Sequence, residues 1–168
     1  AQNWWIFPWV TADVAYSAAI VSDSLTGCPG TVLNLTGYGF GSTATPLTYN
    51  WTTTSGTLST TTDQNTSLVI GGNATVRLKV VDNNNDSTFA TVNIVSKGIN
   101  VAITNPSPVS LTCGGSVTLT TSLTGVQTGK NYTWSNGTSG SSSFSIPVTA
   151  PGTYSVTVTN NAGCSASA

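Results

Sequence analysis

The chain has 168 residues, of which 5% are charged, with a formal net charge of −1 and no histidine. With Arg77, Lys79, Lys97 and Lys130 as its basic side chains, it has no electrostatic footprint for a nucleic-acid partner. The absence of imidazole leaves any serine nucleophile without its usual base, and no carboxylate pair stands out for glycoside chemistry, so the chain is read as a non-enzyme.

Hydrophobic residues make up 38% of the chain, too many for a disordered segment. Serine and threonine together form roughly a third of it, well above ordinary usage. Thr, Val, Tyr and Trp suit a pleated, half-buried surface, and strong helix formers are scarce; the fold class expected is all-β. The acids are Asp13, Asp23, Asp63, Asp82 and Asp86, with no glutamate. Such a chain is expected to lose little stability through proton linkage in acid.

The chain opens on AQNWWIFPWVTAD, read as the mature end of a secreted product. Residues 4–21 are apolar, but Pro8 and Asp13 interrupt them and no basic flank precedes them, so no membrane span is expected. As an extended strand, residues 3–12 reach roughly 33 Å. Trp5, Phe7 and Trp9 then share one face, and Trp4, Ile6 and Val10 the other. Pro8 places this strand at an edge or a bend. Residues 14–22 suffice as the opening strand of the first domain, which leaves residues 1–13 as a surplus strand.

Beyond the leader the chain repeats itself. CPGTVLNLT from Cys28 aligns with CGGSVTLT from Cys113, Tyr49 and Trp51 with Tyr132 and Trp134, and ATVRLKVVDNNN from Ala74 with GTYSVTVTNNAG from Gly152. Three landmarks in one order at a nearly constant offset indicate tandem duplication. Within each copy apolar residues alternate: Leu33 with Leu35, Tyr49 with Trp51, then Val76, Leu78 and Val80; Val117 with Leu119, Tyr132 with Trp134, then Tyr154, Val156 and Val158. Turn residues such as Gly56, Gly71-Gly72, Asn136-Gly137 and Pro151-Gly152 separate the runs. Period-two alternation between such turns predicts two-sheet sandwiches. The expected organisation is a leader over 1–13, one sandwich over 14–97 and a second over 98–168.

NYTWSNGTS and APGTYSVTVTNNAGCSA resemble the tandem Ig-like and PKD-like modules of secreted microbial surface proteins. The likeness covers most of residues 108–168. The first copy departs from it: the acidic, glycine-rich turn after the Trp is missing, and Asp86 stands where the second copy has Cys164. The resemblance implies antiparallel Ig-like β-sandwiches and a role in spacing and adhesion. It also implies a disulfide between Cys113 and Cys164 over a core tryptophan. Cys28 is then the odd cysteine, either a thiol left from the duplication or a covalent link to another chain.

Two further motifs are open. Asp82 to Asp86, with asparagines between, partly matches a calcium loop and equally fits a hairpin turn. No His or Cys cluster offers a zinc site, and no cofactor or metal is expected. Asn34, Asn50, Asn65, Asn73, Asn85, Asn131 and Asn136 each begin an N-x-S/T triplet. Alternation turns Asn34, Asn50 and Asn131 away from the core, so N-linked glycans are expected partners where the host can attach them.

The two copies end differently. The first has a full strand, STFATVNIVS, after its asparagine turn; the second has only residues 164–168. A groove with Trp134, Tyr154, Val156 and Val158 as its core is expected in the second sandwich, with open strand edges that invite another chain. The leader of a neighbouring subunit fits that need by strand donation. Donor and acceptor being different surfaces, the contact is heterologous and builds a filament. This resembles the strand-complemented extracellular threads and pili of microbes, archaeal ones included, and implies a homopolymeric cell-surface appendage. The alternatives are a fragment of a longer multi-domain adhesin whose final strand is cut off, a leader folded back on its own first sandwich, or a carbohydrate-binding module that stacks sugars on its tryptophans.

Overall fold

The structure is a computed structural model that describes residues 15–168. The leader expected as a donor strand over residues 1–13, with Trp4, Trp5, Ile6, Phe7, Trp9 and Val10, lies outside the described residues.

Eight strands precede Lys97: β1 (Ser17–Ser22), β2 (Thr26–Gly27), β3 (Val32–Phe40), β4 (Thr48–Thr53), β5 (Thr57–Leu58), β6 (Asn65–Val69), β7 (Ala74–Val81) and β8 (Ser87–Ser96). They form two sheets, β1-β3-β6-β5 and β2-β8-β7-β4. All pairs are antiparallel except β2 with β8. The alternation in β3 and β7 buries Leu33, Leu35, Val76, Leu78 and Val80 between the sheets, around Trp51. The Trp51 indole Nε1 donates to Asp63 O at 2.8 Å, so the ring's one polar atom is satisfied where it is buried.

Seven strands come after it: β9 (Ile99–Ile103), β10 (Val117–Gly125), β11 (Asn131–Trp134), β12 (Ser139–Gly140), β13 (Ser145–Val148), β14 (Val156–Thr159) and β15 (Ser165–Ser167). Their sheets are β13-β10-β9 and β12-β11-β14-β15, all antiparallel. Trp134 sits at the centre of this second core, its Nε1 donating to Ser143 O at 2.8 Å as Trp51 does to Asp63 O. The fold is thus all-β, with the antiparallel sandwich layers that the alternation predicts. β10 divides its pairing: Val117–Thr120 runs against β13, and Thr121–Gly125 against β9.

The cysteines pair otherwise than the resemblance implies. Cys164 is bonded to Cys28, 136 residues away, with the Cα atoms 5.3 Å apart, and Cys113 is an exposed free thiol. The reason is positional. Cys164 lies in the turn between β14 and β15, at the end of the second sandwich that meets the linker. Cys113 lies before β10, at the opposite end of that nine-residue strand, about 30 Å away. Cys28 is therefore neither a leftover thiol nor a link to another chain. It ties the first sandwich to the second.

The duplication extends to one turn in atomic detail. Asp82 N donates to Asp86 O at 3.0 Å, while Asp82 Oδ1 accepts from Asn84 N and Asp86 N. In the second copy Asn160 N donates to Cys164 O at 2.9 Å, and Asn160 Oδ1 accepts from Ala162 N and Cys164 N. The fourth residue of each turn has positive φ, 68° at Asn85 and 80° at Gly163, a conformation these two residue types tolerate. The remaining polar atom differs. Asp82 Oδ2 accepts from Ser42 Oγ at 2.6 Å, whereas Asn160 Nδ2 donates to the backbone of the linker region.

Candidate functional site

In the first sandwich, β8 lies between two neighbours. Ser87–Ile94 pairs with β7, and its far end runs parallel to β2, with Thr26 opposite Val95 and Gly27 opposite Ser96. Val95 N donates to Leu25 O and Lys97 N to Gly27 O, closing that side.

The second sandwich has only a short counterpart. β15 covers Thr157 to Thr159 of β14, and Ala168 exchanges backbone hydrogen bonds with Val156. Beside Thr153, Tyr154 and Ser155 no strand continues the ladder among the described residues. Residues 110–112, which correspond to β2, join no ladder there either.

Between these two stretches lies a groove of about 790 Å³. Ile103, Val117, Leu119 and Val148 line it, Tyr154 forms one wall, and Cys113 stands among its lining residues. Leu119 and Val148 belong to the buried core and keep 8% and 9% exposure here. The Tyr154 hydroxyl donates to Ala150 O at 2.9 Å and holds its ring at the wall. None of the lining residues is charged. Such a lining suits an uncharged occupant with both apolar and hydrogen-bonding groups, and the volume falls within the range of about 300–1,000 Å³ usual for binding clefts.

Asn105 bounds the groove next to β9. Its Nδ2 donates to Thr118 O at 2.9 Å and its Oδ1 accepts from Thr120 N at 2.8 Å. One side chain thus stands in for a strand residue along β10. Past it, the edge of β10 towards Val117 faces the groove.

The sequence reading places Trp134, Tyr154, Val156 and Val158 in the acceptor core. Only Tyr154 reaches the groove. Trp134, Val156 and Val158 are sealed inside, at 2%, 0% and 0% exposure, because β9, β15 and the Cys28–Cys164 bond cover that half of the sandwich. Ile103, Val117, Leu119 and Val148 take their place. Alternation marks Val117 and Leu119 as inward-facing, but it carries no signal that the layer above them is missing.

The groove and the exit of the leader lie at opposite ends. β1 begins opposite Phe40, at the end of the first sandwich that carries the 82–86 turn. Cys28 and β2 are at its other end, against the second sandwich. There Ile99 pairs with Gly125, whereas the groove opens where Val117 meets Val148. Two strand lengths, about 60 Å, therefore separate Tyr16 from the groove.

Asp82 is a turn residue: Ser42 and two backbone amides occupy its carboxylate. Among the described residues no group of three His, Cys, Asp or Glu is gathered as metal ligands would be, and no helix is long and apolar enough to cross a membrane. Asn34, Asn50, Asn65, Asn73, Asn85, Asn131 and Asn136 are all exposed.

No family model matches the chain, and no curated protein matches it. Solved structures share its general build. Three N-terminal domains of the Highly Immunogenic Outer Capsid protein of bacteriophage RB49 are 18% identical, covering 92% of this chain and 57% of that one, with a TM-score of 0.45. A C-terminal fragment of intimin, solved with the intimin-binding domain of its translocated receptor, is 15% identical over 89% of this chain and 61% of that one, at a TM-score of 0.47. The adhesin InvE of Yersinia pseudotuberculosis is 16% identical over 90% of this chain and 57% of that one, at a TM-score of 0.36. The chain thus spans less than two thirds of each of these three.

Proposed function

We propose that the chain is a structural subunit of an extracellular filament, built from sandwich modules over 14–97 and 98–168 and joined head to tail by its leader. In this reading residues 3–12 of one copy lie as a strand in the groove of the preceding copy. They fill beside Tyr154 the place that β8 fills in the first sandwich. The single observation that carries the reading is that uncharged groove, flanked by two backbone stretches whose groove side has no ladder partner among the described residues, where the first sandwich has the ten-residue β8.

Chain reach favours a neighbour over the molecule's own leader. Fourteen extended residues cover about 50 Å at most, and about 33 Å of that must lie inside the groove. What remains falls well short of the distance to the chain's own groove. The leader is uncharged over residues 3–12, as the groove demands; each buried aromatic ring is worth on the order of 4–6 kcal/mol by area. Several together exceed the association cost of roughly 4–15 kcal/mol. The Cys28–Cys164 bond accords with an oxidising, extracellular setting, and the exposed sequon asparagines accord with N-linked glycans.

The test compares the full chain with one lacking residues 1–13 by electron microscopy and sedimentation. Fibres from the full chain and folded monomers from the shortened one are expected. Trp5→Asp with Trp9→Asp should act like the deletion. Monomeric full-length protein whose tryptophan fluorescence responds to added sugars would instead identify a carbohydrate-binding adhesin module and overturn the proposal.

A further inference from the structure

We infer that the contact between neighbouring copies repeats the contact between the two sandwiches within one chain. The 82–86 turn of the following copy then sits against the Cys113 segment of the preceding one, as the 160–164 turn sits against Cys28. This rests on the proposed polymer and adds a second contact, made by the 82–86 turn at the Cys113 rim of the groove.

Both halves of this contact are present in a single chain. The 82–86 and 160–164 turns share their hydrogen bonds atom for atom, including the side-chain oxygen that accepts two amides. Cys113 corresponds to Cys28 in the duplication, and each precedes a nine-residue strand by four residues (Val117 of β10, Val32 of β3). Within the chain, the 160–164 turn and Cys28 meet closely enough to be bonded. At the outer ends of the molecule, the 82–86 turn and Cys113 are both exposed, and among the described residues neither has a counterpart facing it. The leader occupies the same place ahead of β1 that β8 occupies ahead of β9. A leader seated in the groove therefore brings the following copy's first sandwich to where the second sandwich stands after β8.

The arrangement is specific about residues. Asp86 stands at the position of Cys164, so it faces Cys113 across the contact between copies. No disulfide can form there in the native chain, and a cysteine at 86 would supply one. The two cysteine segments differ in one respect: the tight turn closes from Thr112 O to Gly115 N, and from Cys28 O to Thr31 N, one position apart. A short bismaleimide alongside direct oxidation absorbs that offset.

The experiment uses Asp86→Cys in the full chain. The turn uses only the backbone N–H and C=O of Asp86, so the substitution keeps its hydrogen bonds. Assembled material is oxidised, or treated with the bismaleimide, and run on a denaturing gel without reductant. A ladder of covalent dimers, trimers and higher species is expected, at least tenfold more abundant than from wild type and absent from Asp86→Cys with Cys113→Ser. Fibres that give no ladder by either route would overturn the contact while leaving the polymer standing. Absence of fibres would overturn the polymer, and the contact with it.

Discussion

Asn160 Nδ2 lies 2.8 Å from Lys97 O, and the same amide nitrogen reaches Val126 O at 3.0 Å. One buried side chain thus closes the linker between the sandwiches, while its Oδ1 holds the turn that carries Cys164. All four of its hydrogen-bonding positions are used.

Asn160→Asp separates those two duties. The carboxylate keeps both amides on Oδ1, loses both donors, and sets a charge against two carbonyl oxygens. A loss of about 2–3 kcal/mol at neutral pH is expected. Repulsion by the carbonyls raises the new group's folded pKa, so the loss should shrink as pH falls and the acid protonates. Urea unfolding at pH 7 and pH 3 checks both halves. Equal destabilisation at the two values would show that the linker carbonyls do not feel this side chain.

The disulfide should behave as a tether between sandwiches and not as a staple within one. Closing a loop of 136 residues is worth at most about 5 kcal/mol in the chain-entropy view. Cys28→Ser or Cys164→Ser should lower the melting temperature by several degrees, and Cys113→Ser should leave it unchanged. Alkylation before reduction should label one thiol in the native chain and none in Cys113→Ser. Labelling that persists in Cys113→Ser would contradict the pairing.

Much of this fold is legible in the sequence. Alternation at Leu33 and Leu35, and at Val76, Leu78 and Val80, marks the buried face, and the paired landmarks at Trp51 and Trp134 mark two cores. Two things are not. Cys28 and Cys113 are equivalent positions in the duplication, so spacing alone cannot say which meets Cys164, and the resemblance points to the wrong one. Only the stacking of one sandwich on the other decides it. The groove is half visible: the short last strand points to it, but alternation reports which side chains face inward and not where the covering strand ends. Tyr154 lines the groove, and Trp134, Val156 and Val158 lie in the buried core beside it.

The Asp82 turn governs the acid limb of stability. The Ser42 hydroxyl, joined by the Asn84 and Asp86 amides, holds the Asp82 carboxyl below the usual carboxylate range, against the opposing effect of burial. A depressed folded pKa contributes stability that is present above the unfolded value, about 3.9. That stability is lost as pH falls through the lower folded value. With no glutamate and no histidine in the chain, melting temperature should be flat from about pH 8 to 5 and decline only below that. Asp82→Asn should flatten the decline, and Ser42→Ala, which brings the folded value up towards the unfolded one, should make the decline smaller and complete it at higher pH. A wild-type decline already under way at pH 6 would rule out this assignment.

Gly37 marks the tightest point of the first core. A Cβ placed there would lie 2.6 Å from Leu78 Cδ2 and 2.9 Å from Trp51 Cζ2. Leu78 and Trp51 are among the most deeply buried side chains, at 0% and 1% exposure, so neither can swing into solvent to make room. Gly37→Ala should therefore cost about 1–3 kcal/mol by overpacking. That outweighs the roughly 0.4–1 kcal/mol usually gained from stiffening the unfolded chain. Gly72→Ala is the matched control, since its Cβ would meet only Ser55 Oγ, at 3.3 Å. Urea denaturation of both should show the loss at position 37 alone. Equal midpoints would mean that β3 can lift away from β7 by several tenths of an ångström, and that the packing around Trp51 is looser than these contacts describe.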